Sequence, residues 1–382
     1  MRRLMAKSLD VIKHADLVLL ALCVVTSLFG IVMIYAASYA WGEPSRYIII
    51  QLGCVLAGIV IYFILTAIDV QVIAGQRTIL VLFNAGFMLL LFVWGIEVNG
   101  NFSWLDIPFL PFNIQPAEVC KLFYVIILAR TLSVNQNRIS SFRSVFSAAF
   151  HMVFMVALIM VLSRDMGVAL IFVFIFLAMC YLGGVSNWWF LAGIGLIAVA
   201  GPVIWESFMA DYQKNRILAL FNPEIDPYGR EELWQTNLNK EALSNGGLVG
   251  MGLLNGEQTN TLLPASHTDS IFSSIGEQLG LVGWLITLAL LLSIVARILY
   301  VGFKSPDYMN RLICIGMASV FLFQIIINVG VCLGLIPVIG LTLPFISYGG
   351  SSILTAFMAV GFVSGIKMRP APDRSTQYIR PY

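Results

Sequence analysis

Ten long apolar runs dominate this 382-residue chain and limit it to one class of fold. A membrane-spanning helix needs about 20 mostly apolar residues, and each run has roughly that length. Since 59% of the residues are hydrophobic and only 11% are charged, the runs are not core helices of a soluble domain, where about 25% of residues are charged. The runs cover residues 16–37, 47–68, 78–97, 115–132, 144–162, 166–182, 186–205, 276–300, 311–333 and 349–367. We therefore expect an all-α, polytopic membrane protein with about ten transmembrane helices in one domain, residues 1–382.

Lys and Arg residues are unevenly distributed over the predicted connections. With a cytoplasmic N-terminus, 15 of the 22 lie on the cytoplasmic side. The positive-inside rule then predicts that both termini are cytoplasmic and that the segment from about 206 to 275 is extracytoplasmic. The basic N-terminal stretch precedes an apolar run without a small-residue cleavage site, which indicates a retained span. A net charge of +2 gives no indication of nucleic-acid binding.

The predicted extracytoplasmic segment carries 13 of the 42 charged residues and a cluster of glycines at 246, 247, 250, 252 and 256. Glycines permit positive φ or close backbone approach, so the cluster is also compatible with a packed re-entrant turn. It contains no GxxxxGK[ST] pattern, which excludes a P-loop. The six cysteines lie in apolar runs without a CxxC pair, as expected for buried small side chains.

The sequence LLPASHTDSIF, residues 262–272, places polar residues beside an apolar run. Ser274 and Glu277 fit a capping box, which predicts that the eighth span begins near Ser274 and that Asp269 lies in the preceding loop. Asp269 could be a general base, or it could cap a short turn or solvate the loop. A triad of Ser266, His267 and Asp269 is disfavoured because triads are assembled in space from separate segments. No cluster of metal ligands is visible.

A second polar group, NIQPAEVCKLF, stands at the start of the fourth run. Pro116 suits the first helical turn, and Glu118 and Lys121 share one helix face. Lys121 would lie about 7 to 8 Å into the membrane. Intramembrane charges mark functional cavities, although Lys121 could instead pair with Glu118 and extend to the interface. Arg46 and the Arg164–Asp165 pair add charge on the same side.

Several motifs in this order resemble the SEDS family of bacterial proteins for shape, elongation, division and sporulation. The strongest match is LPFISYGGSS at 343–352, with Asn328, Gly334, Pro337 and Gly340 before it. Its motif residues are Pro344, Ser347, Tyr348, Gly349, Gly350 and Ser351. The other matches are QPAEVCK at 115–121, RDMGVAL at 164–170, YQKNRILALFNPEIDPYG at 212–229 and LPASHTDSIFSSIGEQLGLVG at 263–283.

The resemblance implies a ten-span fold and a peptidoglycan glycosyltransferase that uses lipid II in the bacterial cytoplasmic membrane. It implies Asp269 of the HTD motif as the catalytic residue, with His267 and Thr268 beside it, and it places Glu118 and Lys121 in the central cavity. It also implies a class B penicillin-binding protein, a transpeptidase, as partner. In such a reaction Arg216, Lys121 and Arg46 are candidates to neutralise the pyrophosphate leaving group. No cofactor is evident, although a divalent cation could assist.

This chain departs from the usual family pattern at a few positions. Ala265 stands where a glutamate is usual, Ser270 where an aromatic residue is usual, and Ser103 where arginine is frequent. Gln278 replaces the second glutamate of a Glu-Glu pair. A lipid II flippase and a non-catalytic scaffold for the transpeptidase are the alternative functions, and the motifs do not separate elongation, division and sporulation roles.

Overall fold

The structure is a computed structural model that describes residues 11–369 except residues 43, 99, 100, 109, 208 and 232. Arg2, Arg3 and Lys7, and the basic residues beyond position 369, lie outside this range. The prediction of cytoplasmic termini uses these residues and so falls partly outside the described residues.

The described chain is a bundle of long helices at the positions of the ten predicted runs. Its helices are α1 (Leu17–Ser38), α2 (Pro44–Ala67), α3 (Val70–Gly75), α4 (Arg77–Leu89), α5 (Leu91–Trp94), α6 (Pro116–Val134), α7 (Phe142–Leu162), α8 (Met166–Leu182), α9 (Asn187–Ser207), α10 (Asp211–Ala219), α11 (Trp234–Gly246), α12 (Glu257–Thr261), α13 (Ile271–Lys304), α14 (Tyr308–Cys332) and α15 (Gly350–Met368). Helices α4 and α5 together form the third run. The prediction of a polytopic helical membrane protein is confirmed.

Eight helices of the described chain are long and apolar enough to cross a membrane. The other two of the ten runs are special cases. Helix α8 is apolar but has 17 residues. Helix α6 has 19 residues and includes Glu118, Lys121 and Arg130. Charges in a helix at the centre of a bundle are stabilised by neighbouring protein groups, which lipid could not provide.

One short β-hairpin interrupts the helical fold after α5. The third run was predicted to continue to residue 97, but the helix ends at Trp94 and strand β1 (Gly95–Val98) pairs antiparallel with β2 (Asn101–Leu105). The sequence Asn99-Gly100 between them is a strong hairpin signal. The hairpin brings Ser103 and Trp104 back towards α6 and α8.

Successive long helices alternate in direction, so their connections gather at two ends of the bundle. At one end Asp16 is fully buried and accepts two 2.9 Å hydrogen bonds from Arg297 of α13. Lys367 of α15 lies 3.1 Å from the same carboxylate, and Tyr62 of α2 donates to the Asp16 carbonyl. We call this the clasp end, because these contacts join four helices. The other end, which carries the described residues between α9 and α13, is called the loop end.

Helices α6 and α14 occupy the centre of the bundle and are mostly buried. Helix α15 packs closely along α2, where Gly58 lies against Phe357 and Gly361 lies against the Tyr62 backbone. A β-carbon at either glycine would meet these neighbours, so the close approach depends on glycine. This packing brings the start of α15 and the loop before it into the centre of the loop end.

Candidate functional site

The HTD residues lie in a tight turn just before α13. Ala265 has a positive φ of 51°, and its carbonyl accepts hydrogen bonds from the backbone N–H groups of Thr268 at 2.9 Å and Ser270 at 3.1 Å. The Thr268 hydroxyl donates to the same carbonyl at 3.2 Å. The turn therefore fixes the backbone on both sides of Asp269.

The start of α13 differs from the prediction. The helix begins at Ile271, with Ser270 as its N-cap residue, and Ser274 and Glu277 are buried within it. The carboxylate of Glu277 accepts instead from the backbone N–H groups of Gln258 and Thr259, both at 2.8 Å, and from the Thr259 hydroxyl. The predicted capping box is wrong because Glu277 caps the short helix α12 rather than its own helix. Asp269 nevertheless precedes α13 as expected.

The LPFISYGG loop holds the HTD backbone in place. The backbone N–H of Tyr348 donates to the His267 carbonyl at 2.9 Å, and the Ser347 hydroxyl donates to the Thr268 carbonyl at 2.7 Å. The side-chain amide of Asn328 in α14 donates to the Asp269 carbonyl at 2.9 Å. Three consecutive carbonyls are thus bound, so the position of the Asp269 side chain is set by the second motif as well as by its own turn.

The LPFISYGG loop is itself held by α2 and α6. The buried Gln51 amide donates to the Ser347 carbonyl at 3.1 Å and accepts from the Gly349 N–H at 3.2 Å. At the start of α15, the Ser351 hydroxyl accepts from the Gln115 N–H at 3.2 Å. Gly350 contacts the ring of Phe112, which leaves no room for a β-carbon there.

Aromatic rings enclose His267 beside this loop. The ring centroid of His267 lies 4.6 Å from that of Tyr47 and 5.7 Å from that of Tyr348. Burial lowers the pKa of His267, so the neutral imidazole is the dominant form at neutral pH. Its Nδ1 has no hydrogen-bond partner among the described residues. The ring is suited to contact a neutral substrate group.

Asp269 has the electrostatics of a general base. Desolvation by burial, followed by repulsion from the Asp165 carboxylate, raises the pKa of Asp269 to about 6. A carboxylate with a pKa near the working pH is mostly ionised at pH 7 and is still a stronger base than an ordinary aspartate. A β-carbon at Gly340 would lie 3.5 Å from Oδ2 of Asp269, so the backbone there borders the carboxylate.

Asp165, which the sequence indicated only as added charge on the same side as Glu118 and Lys121, lies near Asp269 in the structure. It caps α8 by accepting from the Val168 N–H at 3.0 Å, and its Oδ2 accepts from the Ser103 hydroxyl at 3.3 Å and the Gln115 amide at 3.4 Å. Burial is the first cause that raises the pKa of Asp165, and the charge of Glu118 adds to it. Asp165 therefore links Asp269 electrostatically to the charges of α6.

The Glu118–Lys121 pair is enclosed by protein. Lys121 Nζ lies 2.6 Å from Oε1 of Glu118, and the side chains are 3% and 7% exposed. Oε2 of Glu118 accepts from the Thr355 hydroxyl of α15 at 3.1 Å. Because the Lys121 side chain is almost completely buried, it does not extend to the membrane surface, which was the alternative left open by the sequence. The pair lines a small cavity with Gln324, Pro344 and Ser352.

The two candidate arginines lie at the edges of this region. Arg46 precedes Tyr47, whose ring centroid lies 4.9 Å from that of Tyr348. Arg46 is exposed in the first turn of α2. Arg216 of α10 donates to the Val338 carbonyl at 3.3 Å, two residues before Gly340. Both arginines therefore lie beside the loops that flank Asp269.

Two other site chemistries find no support in the geometry. The Ser266 hydroxyl is buried and donates to the Ala37 carbonyl at 3.0 Å, so it is not available as the nucleophile of a triad. Across the part of the chain that the structure describes, no group of three or more His, Cys, Asp or Glu side chains is arranged to hold a metal ion.

Three of the four residues that depart from the family pattern form side-chain hydrogen bonds, and the fourth, Ala265, has a positive φ. Ser103 donates to the Asp165 carboxylate, and the buried Ser270 hydroxyl accepts from the Gln235 amide at 3.1 Å. Gln278 accepts from the Leu254 N–H at 3.0 Å. Ala265 adopts the positive φ of the turn.

Fold and site together define a polytopic membrane protein. At one end of its helix bundle it holds Asp269, a carboxylate with a raised pKa, and the buried ion pair of Glu118 and Lys121. The family model for FtsW, RodA and SpoVE, described as cell cycle protein, matches residues 16–371. The chain belongs to this family.

Named relatives match over nearly the whole chain. The chain is 33% identical to the probable peptidoglycan glycosyltransferase FtsW of Trichlorobacter lovleyi, over 95% of this chain and 96% of that protein. It is 32% identical to the stage V sporulation protein E of Bacillus subtilis, over 92% and 96%. Among solved structures, it superposes with a TM-score of 0.79 on a chain from work on the structural coordination of polymerization and crosslinking by a peptidoglycan synthase complex. That match has 26% identity and covers 94% of this chain and 99% of the other.

Proposed function

We propose that the protein is a peptidoglycan glycosyltransferase that polymerises lipid II into glycan strands, with Asp269 as the general base. The observation that carries the proposal is the state of Asp269: three backbone carbonyls in its turn are bound by surrounding groups, and its pKa is raised to about 6. The names of the relatives, peptidoglycan glycosyltransferases among them, support the same reaction.

In the proposed reaction, the 4-hydroxyl of the acceptor lipid II gives its proton to Asp269 as its oxygen attacks the anomeric carbon of the growing strand. The bond between that carbon and the pyrophosphate oxygen breaks, and undecaprenyl pyrophosphate leaves with the electron pair. A pyrophosphate is a stabilised anion, so its departure depends on charge neutralisation more than on a general acid.

Cations around the site support this neutralisation. Arg216 contacts the loop before Gly340, Arg46 lies beside Tyr47 at the LPFISYGG loop, and Lys121 lines the cavity beside α6. We assign the pyrophosphate to this group of cations, and the HTD neighbours His267 and Thr268 to the acceptor sugar. A divalent cation carried by the pyrophosphate would add to the same neutralisation, and titration with EDTA measures its share.

We place the loop end on the extracytoplasmic side of a bacterial cytoplasmic membrane, with both termini inside. The described basic residues support this orientation, because Arg77, Arg130, Arg138, Arg143 and Arg297 all belong to the clasp end. The class B penicillin-binding protein is the proposed partner, supported by the similarity to a chain of a peptidoglycan synthase complex.

Polymerisation in detergent tests the function. Purified protein is incubated with labelled lipid II, with and without a class B penicillin-binding protein, and the products are separated on a gel. A ladder of glycan strands is the expected result. Movement of lipid II across vesicles without any lengthening would indicate a flippase. No strands with or without the partner, together with no movement of lipid II across vesicles, would indicate a scaffold.

A further inference from the structure

Helix α13 is divided by Gly280 into two parts with different surroundings. Gly280 has φ 64° and ψ −157°, which interrupts the helix. Residues 271–278 before it are all buried in protein. Beyond it, Val282 and Leu285 are 52% and 58% exposed, as expected for a membrane-spanning helix that faces lipid. The exposed apolar surface of α13 therefore begins close to the break.

The glycine-rich segment after α11 lies directly against this break. The N–H groups of Met251 and Gly252 donate to the carbonyls of Glu277 and Gln278, at 2.9 and 3.0 Å. In return, the Gly247 and Leu248 carbonyls accept from Leu281 at 3.0 Å and Val282 at 3.3 Å. These four bonds pair groups of α13 that the break leaves without helical partners.

Glycine is required for this contact. Gly250 approaches the Gln278 carbonyl, and Gly280 approaches the Gly250 backbone, so closely that a β-carbon on either residue would collide. Gly250 also has a positive φ of 81°. The segment is thus fixed at the level of the first lipid-facing turn of α13.

The part of this segment that points away from α13 is apolar and exposed. Leu248 and Val249 are 72% and 79% exposed, and the Leu248 carbonyl bond to Val282 places them beside the lipid-facing surface of α13. Residues 242–256 contain no charged side chain, although the connection from 206 to 269 holds 13. The connection therefore lacks charged side chains in the segment that lies beside the lipid-facing surface of α13.

We propose that residues 247–253, here called the apolar tip, form a re-entrant turn immersed in the acyl chains at the loop end. Its occupant is lipid hydrocarbon, because the exposed surface of the tip continues the lipid-facing surface of α13 without an intervening charge. Backbone can enter hydrocarbon where its polar groups are paired. The four bonds to α13, and a 2.7 Å bond from the Gly250 N–H to the Gly246 carbonyl, pair five backbone groups of the tip. The segment between α9 and α13 is thus held in the membrane near its C-terminal end, instead of lying wholly outside it. This inference does not rest on the proposed catalytic function.

Spin labelling of the full-length protein in phosphatidylethanolamine and phosphatidylglycerol nanodiscs tests the proposal. The six native cysteines are buried, so Val249→Cys and, independently, Leu248→Cys can be labelled selectively against the unsubstituted protein as background. Leu285→Cys on α13 is the lipid-facing control. Tyr228→Cys, whose native side chain is 85% exposed in the connection after α10, is the water-facing control. Power saturation compares collisions with oxygen, which concentrates in hydrocarbon, and with a water-soluble nickel chelate.

The expected result is that labels at 248 and 249 collide more with oxygen than with the nickel chelate, as the label at 285 does, while the label at 228 shows the reverse. Labels at the tip that behave like the one at 228 would show a water-exposed turn and overturn the proposal. Labels shielded from both reagents would also overturn it, because a protein surface or a second copy of the chain would then cover the tip.

Discussion

The Ser347 hydroxyl donates a 2.7 Å hydrogen bond to the carbonyl of Thr268, the residue immediately before the proposed base. The same hydroxyl accepts from the Leu343 N–H at 2.8 Å, so a single buried side chain joins two loops that are 79 positions apart in the sequence. Two motifs that are separate in the sequence therefore form one structural unit around Asp269.

Loss of the Ser347 hydroxyl should impair catalysis through the position of Asp269. In Ser347→Ala, one of the three bonds to the HTD carbonyls is removed, at a cost of about 1 kcal/mol, and small displacements of a catalytic group reduce rates further. We expect a polymerisation rate reduced by about 5-fold to 100-fold with little change in KM, measured with labelled lipid II. Ser293→Ala is the matched control, since that exposed hydroxyl bonds to the Ala289 carbonyl of its own helix. An unchanged rate in Ser347→Ala would show that the bond does not position the base.

The pH dependence of the rate should report the pKa of Asp269. Because the base must be ionised, the rate should rise with pH through about 6 and be about tenfold below its plateau at pH 5. Repulsion from Asp165 contributes to the raised pKa, so Asp165→Asn should move this acidic limb to lower pH. Asparagine can still cap α8, which preserves the local fold. An acidic limb that stays in place or moves to higher pH in Asp165→Asn would contradict the assignment.

The long apolar runs made the helical fold predictable, since a run of about 20 apolar residues identifies a membrane span without knowledge of the helices that pack against it. The hairpin at Gly95 was missed although Asn99-Gly100 is a local signal for it, because the apolar run was assigned to a single span as far as residue 97. The break at Gly280 was missed because it depends on a tertiary partner, the glycine-rich segment after α11. The capping box failed for a related reason: the Ser274 and Glu277 spacing is correct for a cap, but Glu277 is buried and bonds to a different helix.

The site was only partly predictable in the same way. Asp269, Glu118 and Lys121 stood out as charges beside apolar sequence. Asp165 had the same signal, but nothing in its spacing connected it to Asp269, because the two are joined only by the packing of α8, the hairpin and the HTD turn. Tyr47 and Gln51 had no signal, since polar and aromatic residues are ordinary at the end of a span.

The buried Glu118–Lys121 pair should be strongly coupled. Removal of one charge leaves the other uncompensated, so Glu118→Gln and Lys121→Met should each lower stability by about 3 to 5 kcal/mol. The double variant should recover most of this loss, because no unpaired charge remains. Activity should stay low in Lys121→Met and in the double variant, because both lack the cation assigned to the pyrophosphate. Thermal unfolding in detergent and the polymerisation assay measure the two effects, and additive stability losses would contradict the pairing.

Substitution of Asp269 should stabilise the fold. A carboxyl whose pKa is higher in the folded state than the ordinary 3.8 lowers stability as pH rises from about 4 to above 6, because the folded protein resists ionisation. At pH 8 the ionised side chain should cost about 2 to 3 kcal/mol, and at pH 5 about half of that. Asp269→Asn should therefore unfold at a higher temperature than the unsubstituted protein, with the difference larger at pH 8 than at pH 5. A lower unfolding temperature at pH 8 would show a structural role for the carboxylate.

The most direct test of the account is the polymerisation rate of purified Asp269→Asn with labelled lipid II. General-base catalysis is worth about 100-fold to 10,000-fold, so we expect a folded protein whose rate is lower by at least about a hundredfold. The Asp269→Asn unfolding measurement at pH 8 serves as the control for folding. A folded Asp269→Asn protein that forms glycan strands at the unsubstituted rate would contradict the assignment of Asp269 as the base.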